Sequence, residues 1–227
     1  MMKKINEKND GIIVVLAVCG ILAPVIYFFQ LLFLGLFTPG YSHASDMMSI
    51  LGGVGGLRGF AFNTGVALTG LLVAAFAIGL HFNLNYGKGS IASPFLFVLA
   101  GVGLVGAGFF SCDLGCENVL SYTFTGIAHS LFSALSGICI SVAPLVMYPR
   151  IRRDPRWEYY KSFTLGCGIF ANLMGIGFWI SFMFFREELD SIVGILQRLG
   201  IAIPLLWIGV MAVKMLVLTR KAVSSSD

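Results

Sequence analysis

The sequence predicts an all-α polytopic membrane protein: a six-transmembrane-helix up-down bundle, one domain over residues 1–227, with N- and C-termini cytoplasmic. Three observations predict it. The 227-residue chain is 57% hydrophobic and only 11% charged, whereas soluble domains carry about a quarter charged residues. Six apolar stretches follow one another with short connections between them. The basic residues gather at the connections that an inward N-terminus would place on one side.

The apolar stretches cover residues 11–37, 59–82, 93–111, 122–148, 162–185 and 192–218. Each approaches or exceeds the ~20 residues needed to cross a hydrocarbon core of ~30 Å. The first follows Lys3 and Lys4 as a secretory leader would. Its apolar run is too long for a leader core and no A-x-A site follows, so a retained helix is expected. The third is the shortest, and Ser93-Pro94 marks its start. Ten-residue alternating segments of a β-barrel do not occur. Of the fifteen Lys and Arg residues, only Arg58, Arg186 and Arg198 fall on the expected outer side, and the other twelve fall inside. The connection Pro149–Lys161 holds the densest basic cluster and reads as a topology anchor beside anionic lipid.

Small residues suggest how the helices pack. The second stretch carries Asn63, Ala67, Gly70, Ala74, Ala77 and His81 on one face, and small side chains let neighbouring backbones approach. The fourth carries Tyr122, Thr125, His129, Ser133 and Ser136, and the fifth Gly168, Asn172 and Gly175. Polar groups on these faces should turn away from lipid. Gly101, Gly103 and Gly106 spell G-x-G-x-x-G, but a nucleotide fingerprint needs a strand before it. Inside a membrane span it reads as a packing face.

The candidate site lies at the expected outer side. Asn63 sits ~7 Å and His129 ~10 Å below the outer ends of their helices, at 1.5 Å per residue. Gln197 and Arg198 lie at similar depth. Above them, one loop holds Tyr41, Ser42, His43, Ser45, Asp46 and Ser49, and another Cys112, Asp113, Cys116, Glu117 and Asn118. Asp46, Asn63, Asp113, His129, Gln197 and Arg198 are the candidate ligand-binding residues. A guanidinium within a span needs a partner, a water cavity or a route to the interface, and Asp46, Asp113 and Glu117 are candidate partners. Cys112 and Cys116 could close a local disulfide in an oxidising compartment. Cys19, Cys139 and Cys167 read as small apolar fillers. His43, Asp46, Asp113 and His129 are zinc-competent types, but their spacing fits no metal pattern. No metal or other cofactor is assigned. No acid falls in the middle of any span, which weighs against proton-coupled pumping.

These residues carry a family resemblance. Thr38–Ser42, Asp46, Ser49, Leu51 and Gly52 open it; Asn63, Gly65 and Gly70 follow. Phe110–Cys116, His129, Arg152–Trp157, Gln197, Arg198 and Trp207 complete it. The chain resembles the bacterial and archaeal membrane family known as domain of unknown function 998. The resemblance implies a compact multi-spanning protein of a prokaryotic cytoplasmic (inner) membrane and brings no activity with it.

The leading functional expectation is binding or handling of a lipid or other amphiphile in a polar outer-leaflet pocket. The expected partners are membrane lipids, with no nucleic acid and no protein partner named. The alternatives are a membrane-embedded hydrolase or transferase, a small-solute transporter, and an accessory subunit of a membrane complex. The enzyme reading would use His129 as base, Asp113 as orienter or metal ligand and Ser42 or Ser45 as hydroxyl. The transporter reading needs discontinuous helices near Pro144 or Pro204.

Overall fold

The computed structural model describes residues 2–84, 88–113, 116, 123–189 and 191–224. Its elements are α1 (Met2–Leu36), α2 (Ile50–Gly53), α3 (Gly56–Asn83), α4 (Ala92–Phe109), α5 (Phe124–Arg153), a 3-10 turn (Glu158–Tyr160), α6 (Lys161–Phe184), α7 (Arg186–Leu189) and α8 (Val193–Ser224). No strand occurs among the described residues. Six of the helices are long and apolar enough to cross a bilayer, with spans at Asp10–Leu36, Gly56–Asn83, Ala92–Phe109, Phe124–Arg153, Glu158–Ser181 and Val193–Arg220. Backbone groups in hydrocarbon must be satisfied within the segment, and continuous helices do this. The chain is a multi-pass α-helical membrane protein.

The six long helices form a ring in chain order: each packs on its neighbour in sequence, and α8 closes on α1. Both termini therefore lie at one end of the bundle, here the termini end, and the opposite end is the far end. α5 and α8 run unbroken through Pro144 and Pro204, so the broken helices that a transporter would need are not formed there. α5 also continues through Pro149 to Arg153, beyond the expected loop boundary. Arg150 accounts for the extension. It is 6% exposed and donates to the carbonyls of His81 (3.2 Å), Leu84 (2.8 Å), Lys88 (3.0 Å) and Ser90 (3.1 Å). One guanidinium thus satisfies the open end of α3 and the connection to α4. Beside it, Asp154 pairs with Arg156 at 2.7 Å, and Arg156 donates to the Asn83 carbonyl at 2.6 Å. These residues of the basic cluster are structural.

The dense core fills the termini half. Phe76, Leu80, Phe97, Ile140, Met147, Trp207, Ile208, Met211 and Met215 are fully buried there. Phe97 stacks on Trp207 with ring centroids 5.3 Å apart, and Trp207 Nε1 donates to Thr164 Oγ1 at 3.1 Å. On α4 the glycines point two ways. A Cβ on Gly101 would lie 2.5 Å from the Gly70 carbonyl oxygen of α3, and one on Gly103 2.7 Å from the Phe132 carbonyl oxygen of α5. The G-x-G-x-x-G string is therefore where α3 and α5 both close on α4.

Leucine at Gly101 must force α3 and α4 apart, and overpacking of this kind costs about 1–3 kcal/mol. Gly101→Leu should lower the thermal unfolding midpoint in detergent. Gly137→Ala, where a Cβ would meet nothing within 4 Å, should leave it unchanged or raise it slightly.

Candidate functional site

The far end is roofed by the loop between α1 and α2, which is shaped by short-range polar contacts. Ser42 N donates to Asp46 Oδ2 (2.8 Å) while Asp46 N donates to the Ser42 carbonyl (2.9 Å). The Ser42 hydroxyl accepts from Ala44 N and Ser45 N, each at 3.3 Å. Ser42, Ser45 and Asp46 are thus engaged in their own turn. Gly55 and Gly56, both left-handed at φ 68° and 61°, then lead from α2 into α3, a conformation that glycine takes without strain.

α8 holds this loop down. Its first turn has N–H groups without helical partners, and Ile195 N donates to the Ala44 carbonyl at 3.0 Å. Gln197 Oε1 accepts from Met48 N at 2.7 Å. Arg198 Nη1 donates to the carbonyls of Asp46 and Gly194, both at 2.8 Å, and Nη2 donates to the Tyr41 hydroxyl and to His43 Nδ1 (3.4 Å). The guanidinium also lies 5.6 Å from the centre of the Tyr41 ring. Among the described residues no carboxylate forms an ion pair with it. Carbonyls, a phenol and an imidazole hold Arg198, in place of the expected Asp46 or Asp113 side chains; Glu117 lies outside the described residues. Burial pushes the Tyr41 hydroxyl up to about 12 against the pull of Arg198. Burial and the Arg198 charge hold the His43 imidazole below its ordinary value.

Beneath the roof lies a cavity of about 420 Å³, within the range of small-molecule sites. Tyr27, Met47, Met48, Ser49, Phe62, Asn63, His129, Ser133, Ser136, Asn172, Trp179 and Gln197 are among its walls. It occupies the far half of the ring, above the packed core. Of the candidate residues, Asn63, His129 and Gln197 line it together; Asp46, Asp113 and Arg198 do not. Asn63 Nδ2 donates to the Gly52 carbonyl at 3.2 Å. Asp113 accepts from Thr123 N (3.2 Å) and from the Thr123 hydroxyl, while Thr123 Oγ1 caps α5 by accepting from Gly126 N at 3.0 Å. Cys112 and Cys116 are joined by a disulfide with Cα atoms 5.5 Å apart, and both line the cavity. Asn118 and Tyr122, expected nearby, lie outside the described residues.

His129 is fixed from one side. Its Nδ1 faces the carbonyls of Ala107 (3.0 Å) and Phe110 (2.8 Å). Carbonyls only accept, so Nδ1 carries the proton and Nε2 is the acceptor. Ser133 Oγ donates to that Nε2 at 3.3 Å. The expected His129–Asp113 orientation is not formed: carbonyls at the end of α4 orient the ring, and Asp113 binds Thr123. Deeper in, Ser136 is 2% exposed and its hydroxyl has no partner among the described residues. Asn172 Nδ2 donates to the carbonyls of Ser141 and Gly168, both at 2.8 Å. Ser133, Ser136 and Asn172 line the cavity, and Ser136 also packs on α4 as its small-residue stripe suggests, its Cβ lying 2.8 Å from where one on Gly103 would be.

The cavity is open on one side. Ile138 of α5 and Ile176 of α6 line it while 59% and 56% exposed. A Cβ on Gly137 or Gly177 would meet nothing within 4 Å. α5 and α6 touch nearer the termini end, at Gly168 against Leu145 and Asn172 against Ser141, and leave this gap beyond. Among the described residues no group of three or more His, Cys, Asp or Glu converges as metal ligands.

A family model described as "Protein of unknown function (DUF998)" matches residues 21–214. No curated protein and no solved structure matches the chain.

Arg198→Lys keeps the charge but loses the planar fork. It should cost about 1–3 kcal/mol through unsatisfied buried carbonyls, read as a lower unfolding midpoint. His43 favours its neutral form when folded, so the stability it confers is complete above its ordinary value of 6.5 and falls as pH drops below that. Acidifying to about pH 5 should lower the midpoint, and His43→Asn, which keeps an acceptor, should make that decline shallower.

Proposed function

The chain belongs to the DUF998 family of proteins of unknown function, and we propose that it binds an amphiphile in the far-end cavity. The observation that carries this reading is the cavity's two-part chemistry. Hydrogen-bonding groups of Asn63, His129, Ser133, Ser136 and Gln197 lie inside, and an apolar gap between Ile138 and Ile176 opens on the membrane-facing side. A polar head would sit among the former while a hydrocarbon tail leaves through the latter.

In this reading the termini face the cytoplasm and the cavity lies in the outer leaflet of a prokaryotic inner membrane. Two features support that orientation. Arg150, Arg152, Arg153, Arg156, Lys161, Lys214 and Arg220 sit toward the termini end. The Cys112–Cys116 disulfide sits at the far end, where an oxidising compartment would maintain it.

One observation favours a second reading, acyl chemistry on a lipid ester. Ser133 Oγ bonds His129 Nε2 while carbonyls fix His129 Nδ1, which is the order of nucleophile, base and orienter. The serine oxygen would add to an acyl carbonyl, His129 would take its proton and return it to the departing alcohol, and water would then release the acid from the acyl-serine.

Protein purified in mild detergent should yield a lipid in near-stoichiometric amount on organic extraction. Gly137→Phe, which fills the gap, should lose that lipid, and added amphiphile should no longer raise its unfolding midpoint. A wild-type protein free of lipid and not stabilised by any added amphiphile overturns the binding reading. A fluorophosphonate should label Ser133 if the second reading holds, and Ser133→Ala should abolish the label.

A further inference from the structure

We infer that the head group taken by this cavity is uncharged and carries a free hydroxyl, as in a monoacylglycerol; the inference rests on the binding reading and specifies its ligand. Among the described residues lining the cavity none is Asp, Glu, Lys or Arg. The nearest cation on the same helix turn, Arg198, is engaged with the Asp46 and Gly194 carbonyls, Tyr41 and His43. A phosphate or carboxylate taken into this space would leave water without gaining an ionic partner, and unpaired buried charge costs several kcal/mol.

The neutral groups define what fits instead. Ser136, 2% exposed, has a hydroxyl with no partner among the described residues. Gln197 spends its Oε1 on Met48 N, leaving its amide N–H groups without a partner among the described residues. Asn172 spends both of its amide N–H groups on Ser141 and Gly168, leaving Oδ1 as an acceptor. The Gln197 amide N–H donors, the Asn172 Oδ1 acceptor and a hydroxyl able to do either suit a head group whose hydroxyls both donate and accept. A carboxylate or phosphate diester only accepts and would leave Asn172 Oδ1 unanswered. The gap at Ile138 and Ile176 gives the attached chain its way out of the ring.

The test uses the full-length protein in nanodiscs, each containing one diazirine-tailed probe at equal mole fraction: a monoacylglycerol, a fatty acid or a phosphatidic acid. Crosslinked peptides are mapped by mass spectrometry. The monoacylglycerol should label α5 and α6 around Ile138 and Ile176 at least about tenfold more than either charged probe, matching a discrimination of about 1.4 kcal/mol. Ser136→Ala should reduce that labelling several-fold while leaving the unfolding midpoint within the spread of the wild type; Gln197→Leu, which also removes the acceptor of Met48 N, should reduce it together with a lower midpoint. Equal or stronger labelling of the same peptides by a charged probe overturns the head-group inference and leaves the binding reading standing. No labelling of these peptides by any of the three overturns both.

Discussion

The far half of this protein depends on a guanidinium that, among the described residues, is held without a carboxylate. Arg198 is anchored in α8 and reaches the Asp46 carbonyl, Tyr41 and His43 of a loop that starts at the end of α1. The loop's carbonyls come so close to α8 that a Cβ at Gly194 would lie 2.6 Å from the Asp46 oxygen and 2.7 Å from that of Ala44. Glycine at that position and arginine one turn later are two parts of one contact. Met47, Met48 and Ser49 form the cavity roof because this contact, with Gln197 beside it, holds them over the ring. Carbonyl partners spread the positive charge over several dipoles, and none of the loop's acids needs to turn inward.

The two ends of the bundle solve the same problem differently. At the termini end, Arg150 ties the α3–α4 connection to α5, and Phe97 stacks on Trp207 in the packed core. At the far end, the roof contact closes the top of the ring but not its middle. Polar side chains of α5 and α8 face a void there in place of partner helices. A ring of six helices has a centre that must be filled with side chains or left hollow, and the small residues Ser133, Ser136, Gly137 and Gly175 leave this part hollow.

Most of the fold was legible because membrane spans announce themselves by length and hydropathy. The six stretches match the helices to within a few residues at most ends. The exceptions are α1, whose polar first turns extend the helix back to Met2, α5, which continues past Pro149, and α8, which runs on to Ser224. The site was legible in part. Asn63, His129 and Gln197 stood out as polar residues at one depth, and they share the cavity. Arg198 was recognised as needing partners, but a backbone carbonyl leaves no mark in residue type, so acids were the only partners a sequence could suggest. The same blindness hid Arg150, which bonds four main-chain oxygens besides the His81 ring, behind its resemblance to a surface anchor. Ser133 and Ser136 were visible as a stripe. Whether a stripe of small polar residues meets a neighbouring helix or empty space depends on how far apart two helices stand, which one helix face does not encode.

Under the binding reading proposed above, the gap between α5 and α6 changes what concentration means for this protein. A ligand entering from the side is recruited from the bilayer's own two-dimensional pool, where lipid is the solvent and bulk solubility in water is irrelevant. Occupancy would then follow the local mole fraction of the right molecule among its neighbours. A lipid too insoluble to titrate in buffer could saturate the protein when it makes up a few parts per hundred of the surrounding leaflet.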